Sequence, residues 1–182
     1  MQKNILWTGI EYHSMENCLL TVTDQGSEII SSIIGAYANK LYKVAYRITT
    51  NRYWETTFFE ITAQLDDMVW SVNGRPGEKF NGCIDIDISL TPFTNTLPIN
   101  RLNLSEKEEK QIDVLYVDVL AREIKPVQQK YRKLSKTDYQ YENVPNDFEA
   151  LLSVDDLGLV VKYPGLFDRT YITESNYRER NF

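Results

Sequence analysis

Residues 83–101 read Cys-Ile-Asp-Ile-Asp-Ile-Ser-Leu-Thr-Pro-Phe-Thr-Asn-Thr-Leu-Pro-Ile-Asn-Arg. The first half alternates with a period of two. Ile84, Ile86 and Ile88 fall on one face of a strand, and Cys83, Asp85, Asp87 and Ser89 fall on the other. The second half drops the period, and Pro92 and Pro98 bracket a Thr-Asn-Thr cluster. An acidic strand face therefore runs into a stiff, hydroxyl-rich loop.

The same period recurs along the chain. Tyr42, Val44, Tyr46 and Ile48 alternate with polar residues, as do Phe59, Ile61, Ala63 and Leu65. Tyr139 and Tyr141, then Phe148, Ala150, Leu152 and Val154, then Leu157, Leu159, Val161 and Tyr163 continue the pattern. One apolar face and one wet face per segment is the signature of antiparallel sheet. Turn chemistry separates the segments at Asp24-Gln-Gly26, Asp66-Asp67, Asn73-Gly-Arg-Pro-Gly77, Pro145-Asn-Asp147 and Asp155-Asp-Leu-Gly158. Ile112 to Leu120 is apolar on both faces apart from Asp113 and Asp118, which places it in a more buried part of the sheet. Glu28 to Leu41 fits helical spacing, but its Ile and Ser content and Gly35 favour strand.

Nine to eleven strands are expected. The fold class is mostly β, with a large curved antiparallel sheet forming an open, half β-barrel. Helix is scarce. Ser105 to Gln111 has no apolar stripe and reads as a charged hairpin loop, whereas a short helix can start near Asn95, with Pro98 tolerated in its first turn.

The chain has 182 residues, one domain's length, so it can bury a core without disulfides or metals. Its net charge of −6, with no dense basic patch, argues against nucleic acid. Cys18 and Cys83 form no Cys-x-x-Cys pair and read as free thiols of a reducing cytoplasm. No apolar run approaches a membrane span and the N-terminus lacks an export signal, so a cytoplasmic protein without stable membrane insertion is expected.

Chemistry-bearing motifs are sparse. Asp85 and Asp87 have Cα atoms about 6.6 Å apart on one strand face, a spacing that suits paired carboxylates acting on a glycosidic bond. The plainer reading pairs them with neighbours such as Arg101. His13 is the only histidine, and one His with two scattered Cys does not make a zinc site. No Gly-rich phosphate loop or hydrolase elbow is present, so no metal, no cofactor and no catalytic residue is assigned. Phe93, Thr94, Asn95 and Thr96 either meet a polar headgroup or satisfy the backbone of a sharp connection. Trp7, Trp54, Trp70 and the 12 tyrosines either line an apolar cavity or pack the core. The concave face of an open sheet must be covered by a helix, a partner subunit or a lipid.

Gly82 to Ser89, followed by Thr91 to Leu102, resembles the core signature of the bacterial family described as putative glycolipid-binding. Trp7 with Ser14-x-Glu16, Tyr46 with Trp54, Gln129-Lys-Tyr131, and Gly158-Leu-Val-Val-Lys-Tyr-Pro-Gly-Leu-Phe167 resemble its other elements in order. Asn100 and Glu55 stand where a basic residue is usual. The resemblance covers residues 1–169 as a single domain and leaves 170–182 as a tail expected to be mobile.

The resemblance implies a fold similar to exported bacterial lipoprotein carriers, and a lipid or glycolipid ligand held in an apolar concave cavity. Its candidate ligand-binding residues are Trp54, Asp85, Asp87, Phe93, Thr94, Asn95, Thr96, Arg101 and Tyr163. Two other readings compete. One is an enzyme acting on a glycan or small amphiphile through Asp85 and Asp87. The other is a structural or homodimeric interaction protein whose concave face a second copy closes.

Overall fold

A computed structural model of the chain describes residues 1–76, 82–145 and 147–175. Residues 77–81, which include the last residue of the 73–77 turn, Asn146 of the next turn cluster, and residues 176–182 of the tail lie outside them.

Six strands run from the N-terminus as a meander: β1 (Gln2–Gly9), β2 (Ser14–Thr23), β3 (Gly26–Tyr37), β4 (Lys40–Asn51), β5 (Thr56–Leu65) and β6 (Met68–Gly74). The chain then crosses to the other side of the sheet. There it adds β7 (Asp85–Ile88), a 3-10 turn (Phe93–Asn95), α1 (Thr96–Leu102) and β8 (Glu109–Asp118). It returns through β9 (Glu123–Lys133), β10 (Asp138–Val144), β11 (Glu149–Val154), β12 (Val160–Tyr163) and β13 (Phe167–Ser175). One sheet results, ordered β6-β5-β4-β3-β2-β1-β13-β12-β11-β10-β9-β8-β7. Its end strands β6 and β7 do not pair with each other, so the sheet is open, as the alternation predicts. The thirteen strands among the described residues exceed the nine to eleven expected, because β1, β2, β6, β9 and β13 carry no period-two segment of the kind that marks the others. Glu28 to Tyr37 is strand within β3, as its Ile content suggests. All ladders are antiparallel except β7 on β8.

Parity explains the core. Tyr42, Val44, Tyr46 and Ile48 of β4 and Phe59, Ile61 and Ala63 of β5 are buried, and their alternates point to water. Two expectations need correction. In β12 the alternation breaks, because a register shift between Ser153 and Val154 leaves Val160 buried and Val161 exposed. In β7 both faces are buried, Cys83, Asp85, Ile86 and Ile88 included, while Ile84 stays exposed. The cause is the segment after it, which folds back over this end strand.

That segment fills the concave face. Leu90, Phe93 and Leu97 pack with Trp7, Tyr46 and Phe59 from the first half of the sheet. Ile99 and Leu104 pack with Tyr131, Tyr139 and Leu152 from the second half. At roughly 1.5–3 kcal/mol per buried large apolar side chain, the plug ties the two halves together. The short helix near Asn95 is therefore present and is what covers the sheet. Its last turn ends at Asn103, in a left-handed conformation (φ 43°) that Asn tolerates. Asn100, the departure from the family's basic residue, donates to Leu157 O at 2.9 Å and docks the helix on the β11–β12 turn. Residues 105–108 form a loop, but it joins α1 to β8 rather than the arms of a hairpin.

Residues 170–175, expected in a tail, continue β13 and pair with β1 from Gln2↔Ser175 to Leu6↔Tyr171. Cys18 and Cys83 are free and buried.

Candidate functional site

In a meander, successive turns alternate between the two ends of the sheet. Turns 10–13, 38–39, 66–67, 119–122 and 164–166, with residues 145, 147 and 148 between β10 and β11, therefore gather at one end, where the plug does not reach. Two adjoining cavities that share four lining residues open there.

The larger, about 530 Å³, has a polar floor made by the crossing segment: Asp87, Ser89, Thr91 and Asn95. Its walls are rings, Tyr116 from β8, Tyr141 from β10, Tyr163 from β12, Phe167 from β13, Tyr12 and Phe148 from turns. The rings touch in series. Tyr141 lies 6.3 Å from Tyr163, Tyr163 lies 6.1 Å from Phe167, and Phe167 lies 6.1 Å from Tyr12. Phe148 sits against both Tyr141 and Tyr163 at 6.1 and 6.3 Å. Glu11, Asp118, Asp147 and Lys125 supply its charged lining beside Asp87, and Gln128 and Asn143 add further polar groups.

Asp87 is held by Thr94 Oγ1, donating at 2.9 Å, and by Gln129 Nε2, donating at 2.7 Å. Burial nevertheless pushes its carboxyl up from the ordinary aspartate range, because those two donors recover only part of the lost hydration. Asn95 Oδ1 accepts from Tyr131 Oη at 2.9 Å, so this side chain braces the floor instead of capping the helix. The Tyr12 phenol is pushed up to about 12 by burial and then by the charges of Glu11 and Asp118. Tyr116, Tyr141 and Tyr163 move the same way, first by burial and then by the charge of Asp87. Tyr163 is only 6% exposed, and its hydroxyl makes no hydrogen bond among the described residues.

The second cavity, about 480 Å³, shares Glu11, Tyr12, Ser89 and Asp118 with the first and is lined otherwise by Tyr37, Leu41, Tyr42, Leu65, Met68 and Leu120. Its rim carries Lys40 and Arg122. Tyr12 stands between the two chambers. Tyr42 fixes it by donating from Oη to Tyr12 O at 3.1 Å, and Tyr42 in turn lies over Gly35. A Cβ at Gly35 would meet that hydroxyl at 2.4 Å, so the position needs glycine for close approach.

Of the sequence-predicted residues, Asp87, Asn95 and Tyr163 line the larger chamber. The others do not. Asp85 is fully buried against α1, where Arg101 donates from Nε at 3.0 and 3.1 Å and also from Nη2. Burial pushes the Asp85 carboxyl up and the guanidinium pulls it down. Asp85 and Asp87 thus have separate partners and no shared cleft. Phe93 and Thr96 are sealed in the plug, and Thr94 serves Asp87. Trp54, at φ 65°, belongs to the β4–β5 turn at the opposite end of the sheet.

Sequence reading misses Glu11, Tyr12, Tyr116, Tyr141, Phe148 and Phe167 as chamber residues. The available signal is positional: most sit in, or next to, turns that share one end of a meander. It also misses Glu16. Ser14, Glu16, Cys18 and Leu20 share the inward face of β2, and a carboxylate there is anomalous. Glu16 Oε1 accepts from Tyr46 Oη at 2.6 Å, Ser31 Oγ at 2.7 Å and Thr91 Oγ1 at 2.9 Å, directly behind the chamber floor. Its Oε2 has no partner among the described residues.

Among the described residues no helix is long and apolar enough to cross a membrane. Comparison with known proteins gives a match to the family model described as "Putative glycolipid-binding" over residues 4–169. No curated protein matches. A crystal structure of a DUF1089 family protein from Pseudomonas aeruginosa is similar at 31% identity, covering 86% of this chain and 91% of that one, with a TM-score of 0.76.

Proposed function

This chain belongs to the putative glycolipid-binding family, and on that premise we propose that it holds one amphipathic, glycolipid-type molecule at the turn-bearing end of the sheet. The observation that carries this reading is the adjacency of two cavities that share Glu11, Tyr12, Ser89 and Asp118, one walled by rings over a polar floor and the other more apolar. The sugar headgroup lies in the ring-walled chamber, where aromatic faces cover its C–H surfaces and Asp87, Ser89 and Asn95 meet its hydroxyls. The acyl chain passes Tyr12 into the Leu41–Leu65–Met68–Leu120 cleft. Beyond Leu41, a shallow apolar hollow with Met15 and Ile34 continues the path over the outer surface.

This differs from an acyl chain lying along the whole concave face. Phe93, Leu97 and Ile99 occupy that face, so the ligand is confined to the mouth. The enzyme alternative loses its premise as a pair, since Asp85 is committed to Arg101.

The reading is tested by native mass spectrometry of the freshly purified protein, with organic extraction of what copurifies. A discrete 1:1 lipid adduct is expected. Adding an alkyl glycoside to stripped protein is expected to raise the Tm, since a ligand selective for the folded state must stabilise it. No adduct and no Tm shift with any alkyl glycoside contradicts the proposal.

A further inference from the structure

Four acids line the ring-walled chamber, Asp87 and Asp118 half-buried and Glu11 and Asp147 exposed. Away from the mouth some buried or half-buried acids have a cation beside them, Asp85 with Arg101, Asp155 with Arg169 and Glu142 with Lys130, while among the described residues Glu16 and Asp138 are held by hydroxyls alone. In the ring-walled chamber the acids Glu11, Asp87, Asp118 and Asp147 come from four separate parts of the chain, and none forms an ion pair among the described residues. The single basic residue of the lining, Lys125, has its Nζ 3.8 Å from Glu123.

Resting on the reading above, we infer that the headgroup taken by the chamber carries a positively charged nitrogen, as an amino sugar or alkylamine does. Two features beyond the carboxylates point to it. The walls present six aromatic rings, whose faces attract a cation through their quadrupoles. Tyr163, 6% exposed, lines the same space, and its hydroxyl, which bonds to no described residue, can accept from an ammonium N–H. The phenols of Tyr12, Tyr116, Tyr141 and Tyr163 are all raised, partly by chamber carboxylates, so the space they surround lies in a negative field. Phosphate and sulfate headgroups are repelled there. Among the described residues no group of three His, Cys, Asp or Glu side chains converges to hold a metal ion, and the rings favour a diffuse organic cation over a small hydrated one.

The test is calorimetric titration, near pH 6.5 and below micelle formation, with dodecyl glucoside in two derivatives. One carries a 2-ammonium group and the other a 2-acetamido group, so sugar and chain are held constant. The ammonium form is expected to bind on the order of tenfold more tightly. Glu11→Gln and Asp87→Asn are each expected to shrink that ratio. Glu11 is exposed, so E11Q keeps the test alive even where D87N fails to fold. Tyr163→Phe removes only the hydroxyl and is expected to shrink the ratio as well. Dodecylammonium separates the sources: matching the ammonium glycoside assigns the preference to charge alone, and weaker binding assigns it to an amino sugar. Equal affinities, or tighter acetamido binding, overturn the charge inference and leave the chamber as a glycolipid site. Failure of every glycoside to bind the wild type overturns both.

Discussion

Burying Glu16 makes the fold's stability depend on pH in the direction opposite to most carboxylates. The side chain is 2% exposed, and loss of hydration pushes its carboxyl from an ordinary 4.5 up to about 7, against the pull of the Tyr46, Ser31 and Thr91 hydroxyls. All three donors crowd onto Oε1, and Oε2 is left without one among the described residues. A folded state that holds its proton more tightly than the unfolded chain loses stability as pH rises. The contribution of Glu16 is fully present below pH 4.5 and is lost progressively up to about pH 7. A rise of about 2.5 units corresponds to roughly 3 kcal/mol at 1.36 kcal/mol per unit. Glu16→Gln keeps the shape and removes the titration. Denaturant unfolding of wild type and variant, from pH 4.5 to 8, isolates this group because other carboxylates cancel in the difference. Wild-type stability minus variant stability is expected to fall by about 3 kcal/mol across that range. A difference that stays flat, or one that rises with pH, refutes the argument that desolvation outweighs the three hydroxyl donors.

Other perturbations test the plug and the cleft. Leu97→Ala removes a fully buried side chain from the helix that joins the two core clusters, and chemical denaturation should register a loss of about 2–5 kcal/mol. Arg101→Leu strands the Asp85 carboxylate, 1% exposed, without its partner. At neutral pH the cost should be about 3–5 kcal/mol, and adding Asp85→Asn should recover much of it; no recovery in the double variant argues against the ion pair. Leu41→Asp, on a 74% exposed side chain, should leave the Tm within about 1 °C while weakening alkyl glycoside binding several-fold. An unchanged affinity removes the cleft from the ligand's path.

How much of this was legible in the sequence depends on whether local periodicity or distant packing decides a residue's place. Tyr42, Val44, Tyr46 and Ile48 sit in the core because strand parity is local, and parity alone yields an open antiparallel sheet with its inward faces. A helix near Asn95 is also local, but what it covers is not. Parity makes Asp85 and Asp87 equivalent neighbours on one strand face. The structure separates them, because α1 brings Arg101 to one while Thr94 and Gln129 reach the other. Trp54 and Tyr163 look alike as aromatic residues, yet they lie at opposite ends of the sheet, and only strand order tells which turns share an end. Asp87, Asn95 and Tyr163 could be singled out from the sequence. Their chamber could not, since its other walls come from turns far apart in the chain whose meeting depends on the order of thirteen strands.

The central claim is that the ring-walled chamber and the cleft beyond Tyr12 hold one amphiphile between them. The most direct measurement is a crystal structure of the protein saturated with dodecyl glucoside. The account predicts the sugar ring against Tyr163, with its hydroxyls within hydrogen-bond distance of Asp87, and the alkyl chain passing Tyr12 towards Leu41 and Met68. A glycoside bound elsewhere on the sheet, with this chamber empty at saturation, contradicts it.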